Sequence, residues 1–171
     1  WWAYNVNKRG VTLNLEAEDG RGIFRQLVRS ADFVIESYTP GYLDALGLGY
    51  DALAALNPCL VQTSITPFGQ KGPKSLNPWC DLTVWASSGA AYITGDRDRS
   101  PLCMGFIPQI TAQAATEAMT ATLIAHYARE LSGLGQQVDL SLQESGIGIL
   151  QATVEMWDLA RHEYMRSGGT W

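Results

Sequence analysis

The hydrophobic positions of the chain recur at two periods, and the switches between them predict its elements. Val11-Thr12-Leu13-Asn14-Leu15 alternates apolar and polar, which predicts a short strand. After the break at Asp19-Gly20-Arg21-Gly22, Ile23, Phe24, Leu27, Val28 and Ala31 fall on one helical face. Asp32-Phe33-Val34-Ile35-Glu36 is a short apolar run of the kind a strand buried on both faces shows. Thr39-Pro40-Gly41 starts a second helix, which carries Leu43, Leu46, Leu53 and Leu56 and is interrupted at Gly47-Leu48-Gly49. Cys59 to Ile65 is the third strand candidate.

Strand, helix, strand, helix, strand is the grammar of an α/β fold, a parallel sheet with crossover helices. A Rossmann-like sheet is the expected architecture. The turn-rich loop from Thr66 to Pro73 closes this block. A helix is expected from about Asp81 to Gly89, a turn at Gly95-Asp96-Arg97-Asp98, and a long helix from Thr111 to Leu131 that Gly133-Leu134-Gly135 ends. A further strand-helix unit follows, with a strand over Gln137 to Leu142 and a final helix from Ile147 to Met165.

Composition narrows the function. The 171 residues are 46% hydrophobic and 17% charged, as a folded domain requires. A formal net charge of -5 argues against a nucleic-acid groove or an anionic membrane surface. A small molecule or another protein fits better as partner. Cys59, Cys80 and Cys103 form no C-x-x-C pair, so no metal site is expected and a reducing cytoplasm is the simplest home. No apolar run approaches the roughly 18 residues of a membrane span. Beginning at Trp1-Trp2 and ending at Gly168-Gly169-Thr170-Trp171, the sequence reads as a piece of something longer.

The ordered phrases Asn7-Lys8-Arg9-Gly10-Val11-Thr12-Leu13-Asn14-Leu15, Ala31-Asp32-Phe33-Val34-Ile35-Glu36, Pro40-Gly41, Leu46-Gly47-Leu48-Gly49-Tyr50, Asn57-Pro58, Ser64 to Pro73, Ser88-Gly89 and Gly133 to Ser141 carry a resemblance. Together they resemble the class III CoA-transferases of the CaiB/BaiF type over nearly the whole chain. That resemblance implies that residues 1–171 are part of a large domain, without its first strand and helix and without a C-terminal small domain. It also implies an interlocked dimer, of two like chains or two different ones. The implied activity moves coenzyme A from an acyl-CoA thioester to a carboxylic acid, and coenzyme A enters as substrate. In the implied mechanism an Asp carboxylate attacks the donor thioester to form a mixed anhydride, released CoA thiolate forms an enzyme thioester, and the acceptor acid resolves it.

By the same resemblance Asn7 and Lys8 meet the nucleotide end of coenzyme A, where a cation suits phosphate. Ser37, Tyr38 and Thr39 occupy the strand-end turn beside the adenine, with Tyr38 able to stack. Ala45 and Pro78 stand where relatives carry an arginine and a lysine. The nucleophile's place falls at Thr111 counted back from Gly133-Leu134-Gly135-Gln136, or at Ile110 counted forward from Gly95 and Pro101. Neither is an acid, and from Gly105 to Thr116 no side chain is ionisable.

The remaining catalytic candidates are Asp81, Gln109 and Glu117. Asp81 matches an acidic position near the family's active site, although a helix N-terminus also favours an acid there. Gln109 and Gln113 can donate hydrogen bonds but cannot form an anhydride. Glu117, about two turns into the helix, reads more simply as a solvated helix-face glutamate than as a substitute nucleophile. Racemases of the same fold would place their His at Cys80, which reads more simply as a buried apolar cysteine, and His126 and His162 read as structural or exposed.

Two function classes therefore stand. One is a CoA-transferase, divergent or the Asp-lacking subunit of a two-chain enzyme; the other is a non-catalytic CoA-binding or scaffold subunit. An acyl-CoA racemase-like relative is a third reading, and the absence of G-x-G-x-x-G after the first strand candidate counts against an unrelated dinucleotide binder.

Overall fold

A computed structural model describes residues 2–102 and 108–168. Cys103 and the Gly105–Ile107 start of the neutral stretch lie outside the described residues. After a short turn at Trp2–Tyr4, the elements run α1 (Glu18–Val28), β1 (Phe33–Glu36), α2 (Tyr42–Ala45), α3 (Tyr50–Leu56), β2 (Val61–Thr66), α4 (Asp81–Ser87), α5 (Ala90–Ile93), α6 (Gln109–Ser132), β3 (Gln137–Ser141), α7 (Leu142–Ile149) and α8 (Gln151–Ala160). The strands form one parallel sheet in the order β1-β2-β3, with Ile35 beside Thr63 and Thr63 beside Val138.

Each sheet face has its own core. Val28, Leu43, Leu48, Leu53 and Leu60 gather α1, α2 and α3 on one side. On the other side Val84, Trp85, Ala90, Ile110, Ala114 and Leu142 join α4 to α7. Ala114, Ala118 and Ala125 line the buried face of α6, and their small side chains let the helix lie close over β2 and β3. At that contact the Thr63 and Thr122 hydroxyls share a hydrogen bond of 2.6 Å, so neither is left unsatisfied in the core. Gly133 ends α6 with φ 75°, a left-handed turn that a side chain would strain.

Arg129 ties the last turn of α6 to the start of the sheet. Its guanidinium, almost wholly buried, donates to the Asp32 and Cys59 carbonyls at 3.3 and 3.4 Å and to His126 Nδ1 at 2.7 Å. Its ring partner is Phe33, 5.5 Å away.

Three sequence expectations fail. β1 is a strand but is not buried on both faces: Phe33 and Ile35 are exposed, because β1 is the edge of the sheet and α6 lies over β2 and β3. The other two fail for local reasons. Val11 to Leu15 is not a strand. Its end is taken up by a turn: Asn14 accepts the Glu16 and Ala17 N–H groups, and Arg21 donates to the Leu15 and Glu16 carbonyls. The final helix is not continuous from Ile147 to Met165. The Ser141 hydroxyl accepts the Glu144 N–H and starts α7 earlier, Leu150 separates α7 from α8, and Arg161 stops α8 at φ 51°. The chain then folds back, with Arg166 donating to the Tyr92 and Asp96 carbonyls and Gly168 to that of Gly95.

Candidate functional site

Parallel strands present their carboxyl ends to one edge, and the loops after β1 and β2 meet there. Glu36 closes β1 and turns the chain by accepting the Tyr38 N–H at 2.7 Å. The Tyr38 ring rests on that of Tyr42, centroids 4.9 Å apart. Ser37, Tyr38 and Thr39 then form one wall of a cavity of about 230 Å³, whose other wall includes Asn77, Pro78 and Trp79. Tyr38 and Trp79 are both half-exposed. Such a pair can hold a flat ring by stacking.

Asn7 and Lys8 do not line this cavity. Asn7 sits at φ 61°, and the Lys8 ammonium turns back to the Tyr4 carbonyl at 2.6 Å. Pro78, where relatives carry a lysine, stands in the cavity wall without a charge.

The nucleophile's expected place lies on the first turn of α6. Ile110 is fully buried in the core, so only Thr111 of the pair offers a polar group. Thr111 is held by Asp81, which comes from the first turn of α4. The Asp81 carboxylate accepts the Thr111 hydroxyl at 2.9 Å and its backbone N–H at 3.3 Å. Pro108, which precedes α6, supplies no side-chain cap, and helix-start N–H groups need an acceptor. Asp81 supplies it from another helix. Both readings of Asp81 thus meet in one residue, since its carboxylate stabilises two helix starts and stands at the candidate site.

Gln109 is half-buried on the same first turn of α6. Glu117 is not brought to Asp81; its carboxylate accepts from Gln113 at 2.9 Å and lies beside Gly148 of α7. Asp98 is exposed in the turn after α5. Cys80 is exposed and not a buried thiol, because it caps the start of α4: its sulfur accepts the Thr83 N–H while its own N–H goes to the Thr83 hydroxyl. The Thr83 N–H first, and then the Thr83 side chain, hold the thiol below its ordinary value. His126 is taken up by Arg129, and His162 packs edge-on against Tyr164.

Two relations carry no local signal in the sequence. Trp79, an aromatic in the loop after β2, lines the same cavity as Tyr38. The Thr111 hydroxyl, noted in the sequence as standing where an acid is expected, pairs with Asp81 thirty residues away. Among the described residues no group of three or more His, Cys, Asp and Glu could hold a metal, and no helix is long and apolar enough to cross a membrane.

Residues 1–170 match the family model described as CoA-transferase family III, and the chain belongs to that family. It is 41% identical over 158 residues to the succinyl-CoA:(R)-benzylsuccinate CoA-transferase subunit BbsE of Thauera aromatica, covering 91% of this chain and 38% of that protein. It is 34% identical over 169 residues to succinyl-CoA–D-citramalate CoA-transferase of Chloroflexus aurantiacus, covering 98% of this chain and 42% of that protein. A crystal structure of a CaiB/BaiF family protein from Brucella suis superposes with a TM-score of 0.89 at 32% identity, over 94% of this chain and 42% of that one. The chain thus spans about two fifths of the length of the curated relatives it matches.

Proposed function

We propose that residues 1–171 form part of the large domain of a cytoplasmic CoA-transferase, acting as the Asp-lacking subunit of a two-chain enzyme. The observation that carries this reading is the Asp81–Thr111 pair. At the nucleophile's place stands a hydroxyl already committed to a carboxylate, and a carboxylate is too weak a base to make a threonine alkoxide. Transfer of coenzyme A between an acyl-CoA and a carboxylic acid then relies on an Asp supplied by the partner chain.

In this reading the Tyr38–Trp79 cavity holds the adenine of coenzyme A. Ser37 and Thr39 lend it hydroxyls, and Asn7 and Lys8 approach the phosphates once the Lys8 side chain leaves Tyr4. Gln109, on the first turn of α6, donates to the thioester or acid carbonyl. The name of the BbsE relative, which calls that protein a subunit, supports the two-chain arrangement.

The test is to purify the full-length protein alone and with a co-encoded relative that has Asp at the position of Thr111. CoA exchange is then assayed between a panel of acyl-CoAs and carboxylates. Exchange only in the mixture is expected. Exchange by the protein alone that disappears in Asp81→Asn or Glu117→Gln would overturn the subunit reading. CoA binding without exchange in either sample would leave a CoA-binding scaffold.

A further inference from the structure

Among the described residues, no charged side chain lines the cavity that Tyr38 and Trp79 share. Its walls are residues 37–40, Pro67 and residues 75–79, which offer hydroxyls, one amide, prolines, a leucine and two aromatic rings. Lys8 is outside the lining, with its ammonium donating to the Tyr4 carbonyl. Lys71 belongs to a second cleft of about 550 Å³, which adjoins the cavity through Pro40, Ser75 and Leu76. In that cleft Asp44, Asp51 and Asp139 outnumber it. Asp44 and Asp51 form no ion pair among the described residues, so the side of the cavity toward the cleft is net negative. Lys74, next to Ser75 in sequence, lines neither space.

This distribution of charge bears on the 3′-phosphate of coenzyme A. With adenine in the cavity, the ribose follows at its mouth, and a 3′-phosphate lies one sugar from the ring. A phosphate monoester carries about −1.5 to −2 charge and binds where cations surround it. Here it meets no cation in the walls and acids on one side. A ribose 3′-hydroxyl is neutral and both donates and accepts hydrogen bonds. The Thr39 hydroxyl and the Asn77 amide in the walls also do both, and they suit it. The pyrophosphate leaves from the other arm of the ribose and is common to coenzyme A and 3′-dephospho-CoA, so Lys8 does not discriminate between them by approaching it.

We infer, on the adenine placement proposed above, that this cavity recognises an adenosine whose 3′ position carries a hydroxyl and not a phosphate. The nucleotide end is then held as a flat ring and a neutral sugar, and 3′-dephospho-CoA binds at least as tightly as coenzyme A.

The full-length protein is titrated by calorimetry with coenzyme A and with 3′-dephospho-CoA, at low and at physiological ionic strength. Equal affinities, or a tighter dephospho form whose advantage grows at low salt, are expected, with Trp79→Ala weakening both ligands alike. Pro78→Lys puts a cation in the wall and should tighten coenzyme A about 1.5- to 5-fold, the size of an exposed charge pair, while leaving 3′-dephospho-CoA unchanged. Coenzyme A binding more than about twofold tighter than the dephospho form overturns the inference and leaves the adenine placement standing. Binding that Trp79→Ala does not weaken, or whose ratio Pro78→Lys does not alter, overturns it as well, because the nucleotide then lies elsewhere. Binding of neither ligand overturns it together with the proposed function. Pro78 and Trp79 are exposed, so the variants keep the fold and the result remains readable.

Discussion

The Asp81 carboxylate accepts both the hydroxyl and the backbone N–H of Thr111, at 2.9 and 3.3 Å, joining the first turns of α4 and α6. One side chain thereby caps a helix to which it does not belong. Asp81→Ala is expected to cost about 1–2 kcal/mol, the usual loss of a cap, and Thr111→Val about 1 kcal/mol. Because both changes break one hydrogen bond, the double variant should cost less than their sum. Urea unfolding of the variants checks this; strict additivity would show that the pair is uncoupled.

Trp79 and Tyr38 face a common cavity. With adenine stacked there, Trp79→Ala should weaken CoA binding about 2- to 12-fold, in line with about 0.5–1.5 kcal/mol for an aromatic pair. Calorimetric titration of the full-length protein with CoA reads this directly. Unchanged affinity would remove the cavity from the binding site.

Hydrogen bonds from Thr83 hold the Cys80 thiol below its ordinary range. Alkylation of Cys80 by iodoacetamide should therefore rise at lower pH than for an unperturbed thiol. Thr83→Val should move that rise upward by removing the hydroxyl. Mass spectrometry of quenched samples across pH measures both, and coincident profiles would refute the assignment.

Arg129 satisfies two carbonyls at the start of the sheet from a nearly buried position. Arg129→Met should cost about 1–3 kcal/mol, since it takes the donor from the Cys59 carbonyl while the Asp32 carbonyl keeps the Val61 N–H. Lysine should restore little, having no planar fork to reach both strands. Denaturant melts of the two variants decide the point.

Glu18 is held below its ordinary value of 4.5, first by its hydrogen bond from Arg25 and then by that from Arg21. A depressed carboxylate contributes stability above its unfolded value and loses it as pH falls through its folded one. Glu18→Gln should therefore flatten the stability profile below about pH 4.5 and change its slope little above pH 6. Melting temperatures across pH test the difference.

Much of this protein was written locally. The short apolar run at Phe33–Glu36, Gly49 before α3, Gly133 after α6, and the alternation over Gln137–Ser141 mark strands and helices that the structure contains, although β1 buries one face and not two. Local signals suffice there because each strand or helix buries a face of its own period. The same signals failed at Val11–Leu15, where alternation without a neighbouring strand lost to the Asn14 turn. They failed again at Leu150 and Arg161, where backbone angles rather than composition divide and stop the last helices.

The sequence by itself determined the family and the absence of an acid at positions 110 and 111. Only the tertiary structure decided what stands there instead. Asp81 turns to Thr111 because α4 and α6 begin at the same edge of the sheet and an uncapped helix start needs an acceptor. Trp79 and Tyr38 line one cavity because two loops leave neighbouring parallel strands on the same side. Such pairings depend on where the sheet brings distant segments together, a relation that no local pattern of apolar and polar residues encodes.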